Sequence, residues 1–105
     1  MNDNRFYVYA LLDPRKSGKY EYGDICFLYE PFYIGKGTGN RIYAHSSPSE
    51  LNRDRNPHKK RKIKKILKQK LEIIHLKIKD NLIETIALAL ERDYILNIVY
   101  NNKRT

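Results

Sequence analysis

The 105-residue chain carries 21 Lys and Arg against 12 Asp and Glu, a formal net charge of +9, with 41% hydrophobic residues and nine tyrosines. A chain of this length hides roughly two-thirds of its unfolded surface in a single core, which excludes two packed domains and makes 1–105 one domain. Its apolar content excludes a fully disordered chain, and its charge suits a polyanion, either nucleic acid or an anionic membrane surface.

In chain order, Phe6 to Leu12 is β-branched and aromatic and is closed by Asp13-Pro14, a pair that disfavours helix, so a first strand is expected. Residues 13–24 hold Pro14, Gly18 and Gly23 among polar neighbours and predict a long loop. Ile25–Tyr29 adds a short strand with Cys26 as a minor structural thiol. Phe32-Tyr33-Ile34-Gly35 then forms a second main strand that runs into Gly35-Lys36-Gly37-Thr38-Gly39. Asn40 predicts a helix cap before one or two turns over 41–45, with Arg41 and His45 four residues apart on one face, and Ser46 to Ser49 breaks that helix. Asn56-Pro57 starts a basic amphipathic helix with Ile63, Ile66 and Leu67 on its apolar side. A third strand over Leu71–Ile78 ends at Asp80-Asn81. Leu82–Ile98 closes as a helix, with Ile83, Ile86, Ala87, Leu90, Tyr94, Ile95 and Ile98 on its stripe. The order is α+β, and the first two strands are expected to pair.

The lone Cys26 excludes an internal disulfide and a thiolate zinc cluster and fits a reducing compartment. No run approaches the roughly 20 apolar residues of a membrane span, and Met1–Arg5 is polar, so a cytoplasmic protein without membrane association is expected.

Four patterns carry chemistry. Alternation puts Tyr7 and Tyr9 on one face of the first strand, with Tyr33 on the second; a phenol can position a water, or accept its proton when nearby cations lower its pKa. The glycine loop allows close backbone approach, and Lys36 and Arg41 bring two cations to one phosphate-sized guest. Arg41 and His45 could address the same phosphate. Glu84 and Glu91, seven residues apart near one helix face, offer carboxylates for a metal. Beside these, residues 53–70 concentrate Arg53, Arg55, Lys59, Lys60, Arg61, Lys62, Lys64, Lys65, Lys68 and Lys70 against Asp54 alone, a density that favours phosphate-backbone contact with strong salt dependence.

Assembled, these residues resemble a GIY-YIG nuclease domain. The first motif stands as Tyr7-Val8-Tyr9, departing at the family's glycine, and the second as Tyr33-Ile34-Gly35, unaltered and followed by Lys36. Arg41 occupies the position of the family's arginine, His45 that of a histidine found in several subgroups, and Glu91 that of the helical glutamate; Asn101 or Asn102 matches a closing asparagine. The insertion between the motifs and the short approach to Arg41 are similar to the ankyrin- and LEM-domain endonucleases, whose extra domains are not matched here.

The resemblance implies a small, mainly antiparallel three-stranded sheet flanked by helices, and a metal-dependent endonuclease that hydrolyses phosphodiester bonds in DNA. Glu91 would hold a divalent cation, magnesium or alternatively manganese, with Glu84 as a lesser second carboxylate. Tyr9, or Tyr33, would position or deprotonate the attacking water, Lys36 would lower that tyrosine's pKa, and Arg41 with His45 would neutralise phosphate oxygens. Tyr7, Gly35 and Asn101 or Asn102 would support the site. DNA contact falls to Lys36, Arg53, Arg55, Lys59, Lys60, Arg61, Lys62, Lys64 and Lys65, and target choice to the domain itself, a homodimer or a targeting partner. The alternative is a catalytically inactive nucleic-acid-binding module of the same fold. A third reading, a basic helix docking on membrane or an acidic protein, leaves Tyr9, Gly35, Arg41 and Glu91 without a role.

Overall fold

The computed structural model describes residues 3–100. Strand β1 (Phe6–Tyr22) lies at the centre of an antiparallel sheet of order β2-β1-β3, between β2 (Ile25–Gly37) and β3 (Ile74–Leu82). This is the expected α+β architecture, with the first two strands paired as expected. The segment 13–24 differs: it is no loop but the outer half of a long hairpin, in which Ser17 faces Tyr29 and Tyr20, Glu21 and Tyr22 face Phe27, Cys26 and Ile25. Register shifts between Asp13 and Ser17 and between Ser17 and Tyr20 absorb Pro14 and Gly18 without ending the strand. Pairing with β3 stops at Leu12, so beyond that point β1 has a bare edge, where the missing N–H of Pro14 costs no ladder bond. Cys26 is exposed on this ribbon rather than packed in a core.

Alternation along β1 divides the interior into two layers. Tyr7, Tyr9 and Leu11 join Phe32, Ile42, Leu51, Ile63, Ile66 and Ile73 on one face. Val8, Ala10 and Leu12 join Phe27, Ile34, Ala87 and Ile98 on the other. A 3₁₀ turn (Arg41–Ser46), α1 (Pro48–Arg53) and α2 (Pro57–Lys68) cover the first face. Asn40 makes no side-chain cap, so the expected short α-helix over 41–45 is wound more tightly. The expected break at 46–49 contains the start of α1, because the Ser47 hydroxyl accepts the Glu50 N–H. Helix α2 begins where expected: the Asn56 side chain accepts from Lys59 N at 3.1 Å, and Ile63 and Ile66 are fully buried.

The second face is covered by α3 (Glu84–Tyr94) and a π-helical continuation (Ile95–Tyr100). The closing helix thus starts two residues later than expected, since Leu82 still pairs with Phe6 in β3. Of its predicted stripe, Ala87 and Ile98 enter the core, whereas Ile86 stays exposed. Among the described residues no helix is long and apolar enough to cross a membrane.

Candidate active site

The site is built on the phenol-bearing face of β1. Tyr7, which stands where the family motif has glycine, is buried, and its hydroxyl ties down the glycine loop: it donates to the Gly39 carbonyl at 2.8 Å and accepts the Ile42 N–H at 3.0 Å. Both hydrogen-bonding directions are thereby used, and the start of the 3₁₀ turn is fixed against the sheet. Gly37 makes room for this arrangement, because a Cβ there would meet Cβ and Cγ of Arg41 at 3.0 Å.

Two residues on, Tyr9 lies across Gly35, its partner in β2. A Cβ on residue 35 would sit 2.5 Å from Cζ and the hydroxyl of Tyr9, so the glycine of Tyr33-Ile34-Gly35 is required by the ring laid over it. The Tyr9 hydroxyl is hydrogen-bonded to Nε2 of His45, which the 3₁₀ turn drives inward until it is buried. Tyr33 packs on both, with ring centroids 6.2 Å from Tyr9 and 5.2 Å from His45.

At three residues per turn, positions four apart diverge by about 120°. Arg41 and His45 therefore do not project side by side as an α-helix would present them: His45 is buried on Tyr9, while the Arg41 guanidinium is half-exposed and 3.6 Å from Glu50. They nevertheless line one cleft of about 240 Å³ with Tyr33, Glu50, Arg53, Asp54, Arg55 and Lys59.

Lys59 belongs to this cleft and not to the open helix surface. It is buried, paired with Asp54 at 2.7 Å, and its ammonium lies 4.2 Å from the centre of the Tyr33 ring. The sequence held a sign of this, since Lys59, Ile63 and Ile66 follow at i, i+4 and i+7 and share the inward face of α2. Lys62 is likewise internal, bonded to Glu30 at 2.6 Å and to Asp13 at 3.3 Å. Arg53, Arg55, Arg61, Lys64 and Lys65 are exposed, and Lys60 is partly so.

The electrostatics follow from burial. Desolvation lowers the His45 pKa to about 4, assisted by the charges of Lys59 and Arg41, so the imidazole is neutral at neutral pH. Desolvation also pushes the Tyr9 phenol far above its ordinary value, with Tyr33 adding to the rise; the cation that draws it down is Arg41. Tyr33 is raised by burial and by the Glu91 and Asp54 charges.

Glu91 arrives from the opposite layer on α3. Burial raises its pKa, against the charge and the backbone N–H of Lys36. The Lys36 ammonium itself is 3.0 Å from Glu84, an exposed carboxylate at the start of α3. Seven residues of helix rise about 10 Å, so Glu84 and Glu91 engage different parts of Lys36 rather than one point. Asn101 and Asn102 lie outside the described residues.

No curated protein and no solved structure matches the chain. A family profile described as "LEM-3-like GIY-YIG domain" matches residues 6–103. That span takes in both tyrosine strands, the arginine turn and the glutamate helix, so the chain belongs to the LEM-3-like GIY-YIG family, and its function is of the nuclease type.

Proposed function

We propose that the chain is a metal-dependent DNA endonuclease that hydrolyses phosphodiester bonds in the cleft beside Tyr9, Tyr33 and Arg41. The observation that carries this reading is the buried Tyr9–His45 hydrogen bond, with its neutral imidazole, next to a half-exposed arginine. A phenol whose pKa is held this high does not act as a free tyrosinate. With Nε2 of His45 against it, it can accept a proton from water as it passes its own to the imidazole, so the positive charge forms on His45, where the Asp54 carboxylate and the arriving phosphate offset it, and no phenolate accumulates. Tyr33, which lines the cleft, orients that water. Arg41 supplies the guanidinium for the phosphate oxygens as negative charge builds on them, alone in this role because His45 is committed to Tyr9.

Among the described residues no three His, Cys, Asp or Glu side chains converge as a metal cage. A single half-buried carboxylate, Glu91, fits a hard cation such as magnesium or manganese, which keeps several waters and takes further ligands from the substrate phosphate. When bound, the cation supplies Lewis-acid stabilisation of the charge that develops at the phosphate. Lys36 favours the ionised carboxylate of Glu91 through its backbone N–H and its charge.

The test is incubation of supercoiled plasmid with the protein and magnesium. Arg41→Ala and Glu91→Gln are each expected to slow cleavage by about 10²–10³. Cleavage that survives both substitutions would remove the assignment, and a wild-type chain that binds DNA without cutting it would instead be a non-catalytic module of the same fold.

A further inference from the structure

A second cationic region lies apart from the cleft, where the outer half of the β1–β2 ribbon crosses α2. Arg15 and Lys16 from the ribbon face Arg61, Lys62 and Lys65 from the helix across a groove of about 460 Å³. Two things distinguish it from a scatter of surface lysines. The first is its floor. Asp13 is fully buried and receives Nε and Nη2 of Arg15 at 2.9 and 2.7 Å together with Lys62 at 3.3 Å, while Glu30 receives Lys62 at 2.6 Å and lies 3.7 Å from Lys16. Burial alone would raise the Asp13 pKa; the bonds from Arg15 and Lys62 outweigh it and hold the pKa at about 2. These carboxylates fix the two inner cations in position. Five cations against two carboxylates leave the groove positive, with Lys16, Arg61 and Lys65 as its open rim.

The second is its shape. Arg61, Lys62, Lys65 and Gln69 follow one another at helical spacing over about 12 Å of axis. One DNA strand rises about 3.4 Å per phosphate along its axis, and the cations of that wall, Arg61 to Lys65, span about 6 Å, so they match two or three consecutive phosphates. A rod of negative charge enters a concavity between a ribbon and a helix; a planar headgroup surface does not.

We propose that this groove is a DNA-backbone anchor, separate from the cleft where the scissile phosphate sits, and that its open rim, Lys16 of the ribbon with Arg61 and Lys65 of α2, makes the phosphate contacts. The proposal rests on the nucleic-acid reading above, and it assigns a partner surface that the family match leaves unassigned.

The experiment measures binding of the full chain to a short fluorescent DNA duplex across a salt series, with chelator present so that cleavage plays no part. The triple variant Lys16→Ala, Arg61→Ala, Lys65→Ala is compared with a charge-matched variant, Lys19→Ala, Lys79→Ala, Arg92→Ala, whose positions are also exposed and lie off the groove. Each lost phosphate contact lowers the slope of log K against log salt by about 0.9, so the groove variant is expected to lose about 2 to 3 and the control less than about 1. Equal losses in the two variants would overturn the anchor, since net charge alone would then account for binding. So would a groove variant that keeps its DNA slope but loses binding to phosphatidylserine vesicles. A chain that cuts no plasmid yet shows the slope difference keeps the anchor and loses the nuclease reading; cutting with equal slopes does the reverse.

Discussion

The two faces of β1 are made by the same seven residues of sequence and differ in what they ask of their neighbours. Val8, Ala10 and Leu12 present carbon alone, and the layer they meet is carbon as well, with Phe27, Ile34, Ala87 and Ile98. On that face a side chain needs only to fill space. Tyr7 and Tyr9 are buried as completely, yet each also has to aim a hydroxyl, Tyr7 at the Gly39–Ile42 loop and Tyr9 at His45. A buried phenol without a partner is costly, so packing and hydrogen bonding are coupled on this face and independent on the other. The carbon face still serves the chemical one: the buried Ala87 lets α3 lie close against the sheet and, one helical turn on, bring Glu91 toward Lys36.

Substituting the residue that joins the two tyrosine strands is expected to have the largest effect. Gly35→Ala places a methyl 2.5 Å from the Tyr9 ring. It should lower unfolding free energy by about 1–3 kcal/mol through overpacking and, by displacing Tyr9, reduce cleavage at least as far as removing the hydroxyl does. Chemical denaturation and single-turnover cleavage measured on the same preparation check both. Tyr9→Phe isolates the hydroxyl. The rate should fall by about 10²–10⁴ while stability changes by about 1 kcal/mol, and a variant that cleaves normally would show that the phenol is only a core residue.

Leu12→Ala is the counterpart on the carbon face. Unfolding free energy should drop by about 2–5 kcal/mol, with the rate per folded molecule held within a few-fold. If that rate falls as far as in Tyr9→Phe, the two faces are not separable as described.

The smallest effect is a pH dependence of stability. Between the ordinary histidine value of 6.5 and about 4, the unfolded chain binds a proton that folded His45 excludes, so stability is complete above that window and declines as pH falls through it. His75, also lowered by burial, adds to the decline, whereas Asp13 acts below it, between 3.8 and about 2. His45→Gln should remove the His45 part of the slope and leave that of His75, opposed by Glu91, whose raised carboxyl pKa favours the folded state on the acid side; denaturant midpoints at a series of pH values read this, and an unchanged slope would mean that folded His45 takes up its proton as readily as the unfolded chain does.

Much of this was legible in the sequence where periodicity is strict. The alternation of Tyr7 and Tyr9, the Tyr33-Ile34-Gly35 strand, the Asn56-Pro57 helix start and the Ile63 and Ile66 stripe all have local causes, and the structure places them accordingly. What was not legible depends on a partner distant in the chain. Residues 13–22 carry turn signals, and only pairing with Ile25–Glu30 keeps them extended. Arg41 to His45 has helical spacing, but whether it winds as α or 3₁₀ is decided by the Tyr7 hydroxyl and by His45 closing on Tyr9. Lys62 looks like a member of a solvated basic run until Asp13 and Glu30 are brought to it.

The strand order carries a kinetic consequence as well. Strand β1 meets β2 across a two-residue turn, a closure that is local and early, but β3 reaches its other side only after the 3₁₀ turn, α1 and α2 have been made. Pairings this distant close slowly, because the intervening chain must be ordered before they are rewarded. Until then the ladder groups of Phe6 to Leu12 on that side are unpaired and open to other chains, the exposure that makes bare strand edges prone to aggregation. The central strand of the finished sheet is therefore an edge strand for most of its synthesis.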